Sequence, residues 1–555
     1  MEELDQLSAR FAHRLEGVYD CPDRIVLNAF YPLGYNPGGF REWWRRLHGG
    51  DDDLDDAHLM RMAGRFSRRV KAWANANGVP FVVCKQGQRK HLVAEPYIPQ
   101  APEYRGVFLI LAARASAPLW HVRRSAQGRI VSIERRKDQT FVNHFSFHIM
   151  DPDWGHVVIK MCSHPPFGAQ IILNGHEYVA RQATKAGIAF SKEGNCFTSA
   201  SSVTDLAKIA ETLRLKSAVG RLSRVCDRWI YTACLYFALT PEEQDQTRFA
   251  FRYSVYQMEY SRNLLFERGS ELERTFQDLI DHTRSLLQVG TLKTVFGAKS
   301  RPHHRAKSAK QPRVEVALSR PRYDLTVFKL RFGHLTLKVY SKGARVLRVE
   351  AIVDNARTLD CPRSLTSFPE IATRLRGMVY RLLEVLRCVD LPSLDDRLWD
   401  ELPQPARLSG RRVAGVDLSS PRMRAVVHAV IALAPNPGGF TVNQLATKVR
   451  EIAGYSDNEY HAWSAAYDLS KLRAKHLVVR RAASRCYHPS AKGLPALTAL
   501  LVILDKVIRP VLAGAGKPRA GRPRQLECPQ DYHYRALQTE MWNLFQTLGI
   551  TPHAA

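Results

Sequence analysis

The chain has 555 residues and carries 81 Lys and Arg against 53 Asp and Glu, a formal net charge of +28. That excess argues against an ordinary metabolic enzyme and for a polyanionic partner, DNA or structured RNA, because each neutralised phosphate releases condensed counterions. With 45% hydrophobic residues and no apolar run of about 18, the chain reads as several packed domains without a membrane span.

The first region, 1–104, reads as α/β. Residues 1–20 suggest a charged, amphipathic helix without the apolar core of a secretory signal. Arg24–Phe30 reads as a strand. Asn36-Pro-Gly-Gly-Phe40 reads as a turn that opens a helical stretch to about Ala76. An acidic run inside it, Asp51–Asp56, is expected as a solvated loop. A second strand at 80–85 is followed by a basic patch, Arg89-Lys90-His91. The pentapeptide of residues 36–40 recurs at 436–440, which suggests a recurrent helix-entry turn.

Region 105–200 is β-rich. Short runs at 106–114, 118–124, 129–136, 140–151, 156–162 and 169–175 are separated by turn residues, and a helix follows at 176–187. A mostly antiparallel sheet with a helix on one face is expected. Region 201–297 reads as a helical domain, with helix starts at Ser202 and at Thr240-Pro241-Glu242-Glu243. Region 298–390 begins with a basic linker, 298–312. Strand-like runs at 313–319, 324–333, 334–343 and 345–355 and a helix at 366–390 follow. Residues 391–420 read as a polar, Pro-rich linker. Region 421–513 reads as a winged helix: three helices, the third of recognition type, then two wing strands. Residues 514–555 form a basic tail and a C-terminal helix. The expected fold class is α+β and multidomain, with antiparallel β-sheet segments, helical insertions and the C-terminal winged helix.

The ten cysteines are scattered and form no C-x-x-C pair. This argues against a zinc knuckle and for reduced thiols in a cytoplasmic protein.

Four groups of residues could carry chemistry. In the third winged-helix helix, Lys471 and Lys475 share a face, with Arg473 to the side. Such a helix can enter a major groove while Arg480, Arg481 and Arg485 of the wing touch phosphate. Lys517, Arg519, Arg522 and Arg524 of the tail suggest a disordered basic arm. Protein contacts are the alternative use of such a module.

The second group is Asp151 and Asp153 at a strand end, with Glu177 some twenty residues on, beside Asn174 and His176. Carboxylates and amides so placed are raw material for a divalent-metal site, Mg²⁺ or Mn²⁺. The aspartates could equally be turn residues and Glu177 a helix-dipole residue.

The third group is Lys338, Tyr340 and Lys342 on one face of a strand, with Arg348 and Glu350 on its hairpin partner. Glu350 could ligate a metal and Tyr340 could attack a phosphodiester. The alternative is an exposed face with cross-strand Lys–Glu pairs. The fourth group, Gln257 to Arg262, reads as a helix with an i,i+3 pair of Glu259 and Arg262. His144 and His148 share a strand face at a spacing unlike a His-u-His pair. The two β-rich segments, 105–175 and 313–355, are expected to face each other across a basic cleft. That cleft would bring Asp151 or Asp153, Glu177 and Glu350 together as catalytic carboxylates, with Asp153, Glu177 and Glu350 on the metal and Lys338, Lys342 and Arg348 on the nucleic acid.

At residues 23–27, 147–155, 170–182, 187–197, 257–266, 338–355 and 467–480 the chain resembles an uncharacterised multi-copy bacterial family, mobile-element-like, with a C-terminal MarR-like winged helix. The K-x-Y-x-K…L-R-x-E pattern of 338–350 is also similar to a stretch of phage and plasmid replication initiators, without their His-u-His motif. These resemblances imply a nucleic-acid-binding protein of a mobile element: a metal-dependent nuclease, transposase-like or replication-initiator-like enzyme. The alternative is a non-enzymatic winged-helix regulator or the protein partner of a structured RNA. The expected partners are DNA or structured RNA and no membrane; a homodimer is allowed.

Overall fold

A computed structural model describes residues 5–135, 140–286, 327–332, 334–359, 361–390, 400–436, 438–481, 484–504, 508 and 529–547. The linker 298–312, the strand expected at 313–319 and the tail residues Lys517, Arg519, Arg522 and Arg524 lie outside them. Two compact units divide the chain, one of residues 11–273 and 319–379, the other of 1–10, 274–318 and 380–555.

A helix α1 (Gln6–Arg10) precedes a 16-residue strand, β1 (Leu15–Phe30). The helix expected over 1–20 therefore stops at half its length, and Val18 and Tyr19 belong to the strand. Then come α2 (Pro37–His48), α3 (Asp56–Ala76), β2 (Phe81–Val83), α4 (Lys90–Ala94) and β3 (Gly106–Ala117). A small hairpin, β4 (Trp120–Arg124) and β5 (Ile130–Arg135), leads to β6 (Thr140–Asp151), β7 (Gly155–Cys162) and β8 (Ala169–Asn174). Next are α5 (Gly175–Lys185), the pair β9 (Phe190–Lys192) and β10 (Phe197–Ala200), α6 (Val203–Glu211), α7 (Ser217–Trp229) and α8 (Pro241–Thr247). The sheet unit closes with β11 (Arg252–Phe266), α9 (Gly269–Leu286), β12 (Val327–Phe332), β13 (Leu335–Lys342), β14 (Val346–Val353) and the start of α10 (Phe368–Asp390).

Ten strands form one sheet in the order β12-β13-β14-β11-β1-β8-β7-β6-β3-β2. Neighbours are antiparallel except β2 and β3. The fold class is thus α+β. Two sequence expectations fail here. The β-rich segments do not face each other across a cleft; they are the two halves of one sheet, joined by β1 and β11. The stretch 201–297 is not all-helical, because β11 lies at the sheet's centre. Its second half, Tyr260–Phe266, is buried on both faces, so the alternation that marks a strand is lost there. Glu259 and Arg262 accordingly point to opposite faces and do not pair.

One face of the sheet is apolar. Phe145 and Phe147 of β6 meet Phe66 of α3 and Phe237, with centroids at 5.3 and 5.9 Å. Asp20 enters this face as an exception and is held by Arg262 Nη1 at 2.8 Å and by Arg376 of α10 at 3.2 Å. The acidic run Asp51–Asp56 is a clasp rather than a solvated loop: Asp51 binds Arg41 and Arg45, Asp53 takes the Trp44 indole N–H, Asp55 caps α3, and Asp56 accepts from the Val122 amide. Asn36 caps α2 through Gly39 N at 2.6 Å, whereas Asn436 opens no helix: Thr441 caps the next one.

In the other unit, residues 406–413 of the expected linker form a hairpin, β15 (Ala406–Leu408) with β16 (Arg411–Val413). Three helices follow, α11 (Pro421–Leu433), α12 (Val442–Ala453) and α13 (Ala462–Ala474). A hairpin, β17 (Val478–Arg480) with β18 (Tyr487–Pro489), and the buried α14 (Gly493–Ile503) come next; α15 (Pro529–Thr547) ends the described chain. The side chain of Asp468, 1% exposed, ties α13 to α11 by accepting from Arg422 at 2.8 Å and from the Tyr460 hydroxyl at 3.1 Å. Among the described residues no helix is long and apolar enough to cross a membrane.

Candidate functional site

The second face of the sheet is polar, and register explains why. Tyr340 lies opposite Arg348, Lys338 opposite Glu350, Glu350 opposite Ser261, and Asn263 opposite both Arg348 and Tyr19. Alternation therefore puts Lys338, Tyr340 and Lys342 of β13, Arg348 and Glu350 of β14, Glu259, Ser261 and Asn263 of β11, and Tyr19 and Cys21 of β1 on one side. A bulge between Pro22 and Ile25 brings Asp23 to this side and shifts the phase of β1, so that Arg24, Val26 and Asn28 continue the same face.

Arg348 is the hub. Its side chain is wholly buried and donates to Asn263 Oδ1 at 2.7 Å, to the Asn195 carbonyl at 2.6 Å and to Asp23 at 3.4 Å; His176 Nε2 lies 3.1 Å away. His176 opens α5, and its Nδ1 lies 2.6 Å from Asp23 Oδ1 but off the hydrogen-bonding direction. Arg348 Nη1 and Asp23 Oδ2 are likewise buried without a hydrogen-bond partner. Burial opposes the charge on Asp23, yet Arg348 and His176 together hold its carboxyl well below the usual range. Burial pushes His176 down to about 4, so at neutral pH the pair is a carboxylate beside a neutral imidazole.

Partly exposed residues of the site lie on β13. Lys338 Nζ is 3.0 Å from Glu350 Oε2. Burial, then the Glu350 and Asp23 charges, raise Glu259 to about 7. Burial also raises Glu350 against the pull of Lys338. Lys342 donates to Asn195 Oδ1, and burial beside Arg348 lowers it to about 8. Burial and Glu350 raise the Tyr340 phenol far above its ordinary value. A lysine and a carboxyl shifted toward neutrality on the face that carries a phenol are components of acid–base catalysis.

The remaining expected site residues lie elsewhere. Asp151 Oδ1 accepts from the Asp153 and Trp154 amides, both at 2.8 Å, and Oδ2 from Arg228 and the Trp229 indole at 2.6 and 2.7 Å. It is a saturated turn residue. Asp153 pairs with Lys185 and Arg228, and Glu177 with Lys192. Five strand steps of about 4.8 Å separate β14 from β6, so about 24 Å keeps Asp151 and Asp153 from Glu350. Among the described residues no group of three or more His, Cys, Asp or Glu could hold a metal ion. Arg348, expected on the nucleic acid, is instead wholly buried and donates inward to Asn263, Asn195 and Asp23.

In α13 Lys471 Nζ is 3.3 Å from Asp468 and Lys475 donates to the Glu401 carbonyl at 2.5 Å, while Arg473 lies over the Tyr487 ring at 5.5 Å. The exposed large side chains of α13 are Trp463 and Tyr467, 71% and 48% exposed. Arg480, Arg481 and Arg485 of the hairpin are exposed.

Sequence reading assigned no role to Asp23, Asn263 or His176 beyond a polar neighbour. Asp23 and Asn263 lie some 240 positions apart in the chain, and only strand pairing brings them together. No family model matches the chain, and neither does any curated protein or solved structure.

Proposed function

We propose that the protein binds nucleic acid and cleaves one strand of it with Tyr340 as nucleophile, as a replication-initiator-like or transposase-like enzyme of a mobile element. The observation that carries this reading is the placement of a phenol between two lysines on β13, where Lys338 lies opposite Glu350 of β14 and Tyr340 opposite Arg348. Lys338 and Lys342 hold the phosphate oxygens. The Tyr340 oxygen attacks phosphorus, and its proton passes to the Glu350 carboxylate. The P–O bond to the leaving strand breaks, and Lys342 supplies the proton that the departing oxygen takes. Arg348 touches no substrate; next to Tyr340 on the same face, it anchors β14 to Asn263 and Asp23. Glu259 and Glu350 fit a divalent cation, Mg²⁺ or Mn²⁺, since their mutual repulsion is what such an ion relieves, and the ion would supply charge against the phosphate. Asp153 and Glu177 are not part of that set.

In the other unit we read α11 to α13 and the β17–β18 hairpin as a MarR-like winged helix that binds duplex through α13 and the wing arginines. The second reading is a non-enzymatic regulator or RNA partner; the raised Tyr340 phenol favours it.

Incubation of the full chain with Mg²⁺ or Mn²⁺ and end-labelled strands should give cleavage and a covalent protein–strand adduct on denaturing gels. Tyr340→Phe should abolish both and leave binding within about twofold. Binding by the wild-type protein with neither product establishes the binding-only reading instead.

A further inference from the structure

The polar face does not end at β1. Arg24 of β1 lies opposite Asn174 of β8, and Asn28 opposite Gln170, whose side chains bond at 3.1 Å. Gln170 lies opposite Lys160 of β7, and Lys160 opposite Ser146 of β6. Alternation adds His144 and His148 of β6 and His156 and Cys162 of β7. Above them α4 brings Lys90, whose Nζ is 3.3 Å from Ser146 Oγ.

Two half-buried lysines thus neighbour one serine, Lys90 by a hydrogen bond and Lys160 by strand register. Lys90 has no ion pair among the described residues, and Lys160 has neither ion pair nor hydrogen bond there. Burial lowers both, and Lys160 lowers Lys90 further. His148 Nδ1 is 3.0 Å from His156 Nε2, while His148 Nε2 is buried without a partner. Glu177 acts on His156 but is itself paired with Lys192. Half-buried cations close to one another with no carboxylate to offset them favour an anion that completes the site. A metal cation would be repelled by both lysines.

We infer that Lys90, Ser146, His148 and Lys160 form a second site on the polar face, which takes a phosphate group, namely a phosphodiester of the nucleic-acid strand whose cleavage is proposed at Tyr340. The geometry offers a tetrahedral oxyanion two ammonium groups, one hydroxyl and one imidazole nitrogen. A phosphodiester is the source because the same face runs from Lys338 on β13 past the exposed Arg24 on β1 to Lys160 on β7. Those end strands lie about 24 Å apart. A strand occupying about 4–16 nucleotides of a protein groove spans that distance. The assignment rests on the nucleic-acid reading above, and its test separates the two.

The experiment uses the full chain and Lys90→Met with Lys160→Met, which keep the aliphatic stems. Binding of a labelled single strand of about 20 nucleotides is followed by anisotropy against salt. The double variant should bind about tenfold more weakly, with a salt slope smaller by about 1–2. Equal affinity and slope for wild type and a double variant of unchanged unfolding midpoint sink the second site and leave the functional reading standing. If the double variant does not fold, Lys160→Gln alone is read the same way. A wild-type protein that binds no strand at low salt removes the functional reading. Calorimetric titration with inorganic phosphate then decides the site: binding lost in Lys160→Gln keeps it as a site for free phosphate, and no binding removes it.

Discussion

Gly175 sits where the chain passes from β8 into α5, and a Cβ there would lie 1.9 Å from the Pro22 carbonyl oxygen. No rotamer relieves a clash with backbone, so Gly175→Ala must push α5 off β1. His176 would leave Asp23, and burial of the Asp23 charge would lose one of its two offsets. Gly175→Ala is expected to cost about 2–4 kcal/mol in denaturant unfolding. The histidines of the second cluster make a separate prediction. His144 and His148, among Lys90, Lys160, His156 and Cys162, are pushed by burial to about 4 and about 3. Unfolded, both protonate near 6.5. Their folded values are depressed cations' values, so the unfolded chain takes up protons first as pH falls. Stability is whole above about pH 6.5 and declines toward about pH 4 through His144 and about pH 3 through His148, at up to about 1.4 kcal/mol per pH unit per histidine. The unfolding midpoint should fall over that window, and His148→Gln should flatten the fall. Parallel profiles for wild type and variant would contradict this.

At the scale of elements, β1 and β11 join the two halves of the sheet unit, and Asp23 of β1 and Asn263 of β11 both bind Arg348 of β14. On their apolar side Arg262 and Arg376 offset Asp20. Removing one partner of a buried ion pair leaves a charge without compensation, so Arg262→Ala should destabilise the sheet unit by about 3 kcal/mol. Arg262→Met would show how much of that is lost packing of the side-chain stem. The pairing of β1 with β11 was not legible locally. Arg24–Phe30 alternates and reads as a strand, whereas Tyr260–Phe266 is covered on both faces and carries no period. The β13–β14 hairpin was legible, since Lys338, Tyr340, Lys342 and Glu350 alternate with apolar residues that the other face buries.

For the molecule as a whole the net charge of +28 predicts nucleic-acid affinity that falls steeply with salt. Flat affinity between low and physiological salt would contradict it. The helices of the second unit refine the expectation for duplex. Lys471 is partnered by Asp468, so Lys471→Ala should lower stability as well as binding. The outward Trp463 and the hairpin residue Arg480 carry less structure. Trp463→Ala with Arg480→Ala should weaken duplex binding by about 1–3 kcal/mol without moving the unfolding midpoint.

Composition determined the charge, on which the proposed class of partner rests, and period-2 alternation determined most strands and which of their residues share a face. These are properties of residues near one another in sequence. Tertiary structure alone decided that Asp23, His176, Asn263 and Arg348 meet, that Glu350 keeps company with Glu259 rather than with Asp153 or Glu177, and that Lys90 faces Lys160. The reason is strand order: register across a ten-stranded sheet brings together residues hundreds of positions apart, while carboxylates close in sequence are spent on turns, caps and ion pairs.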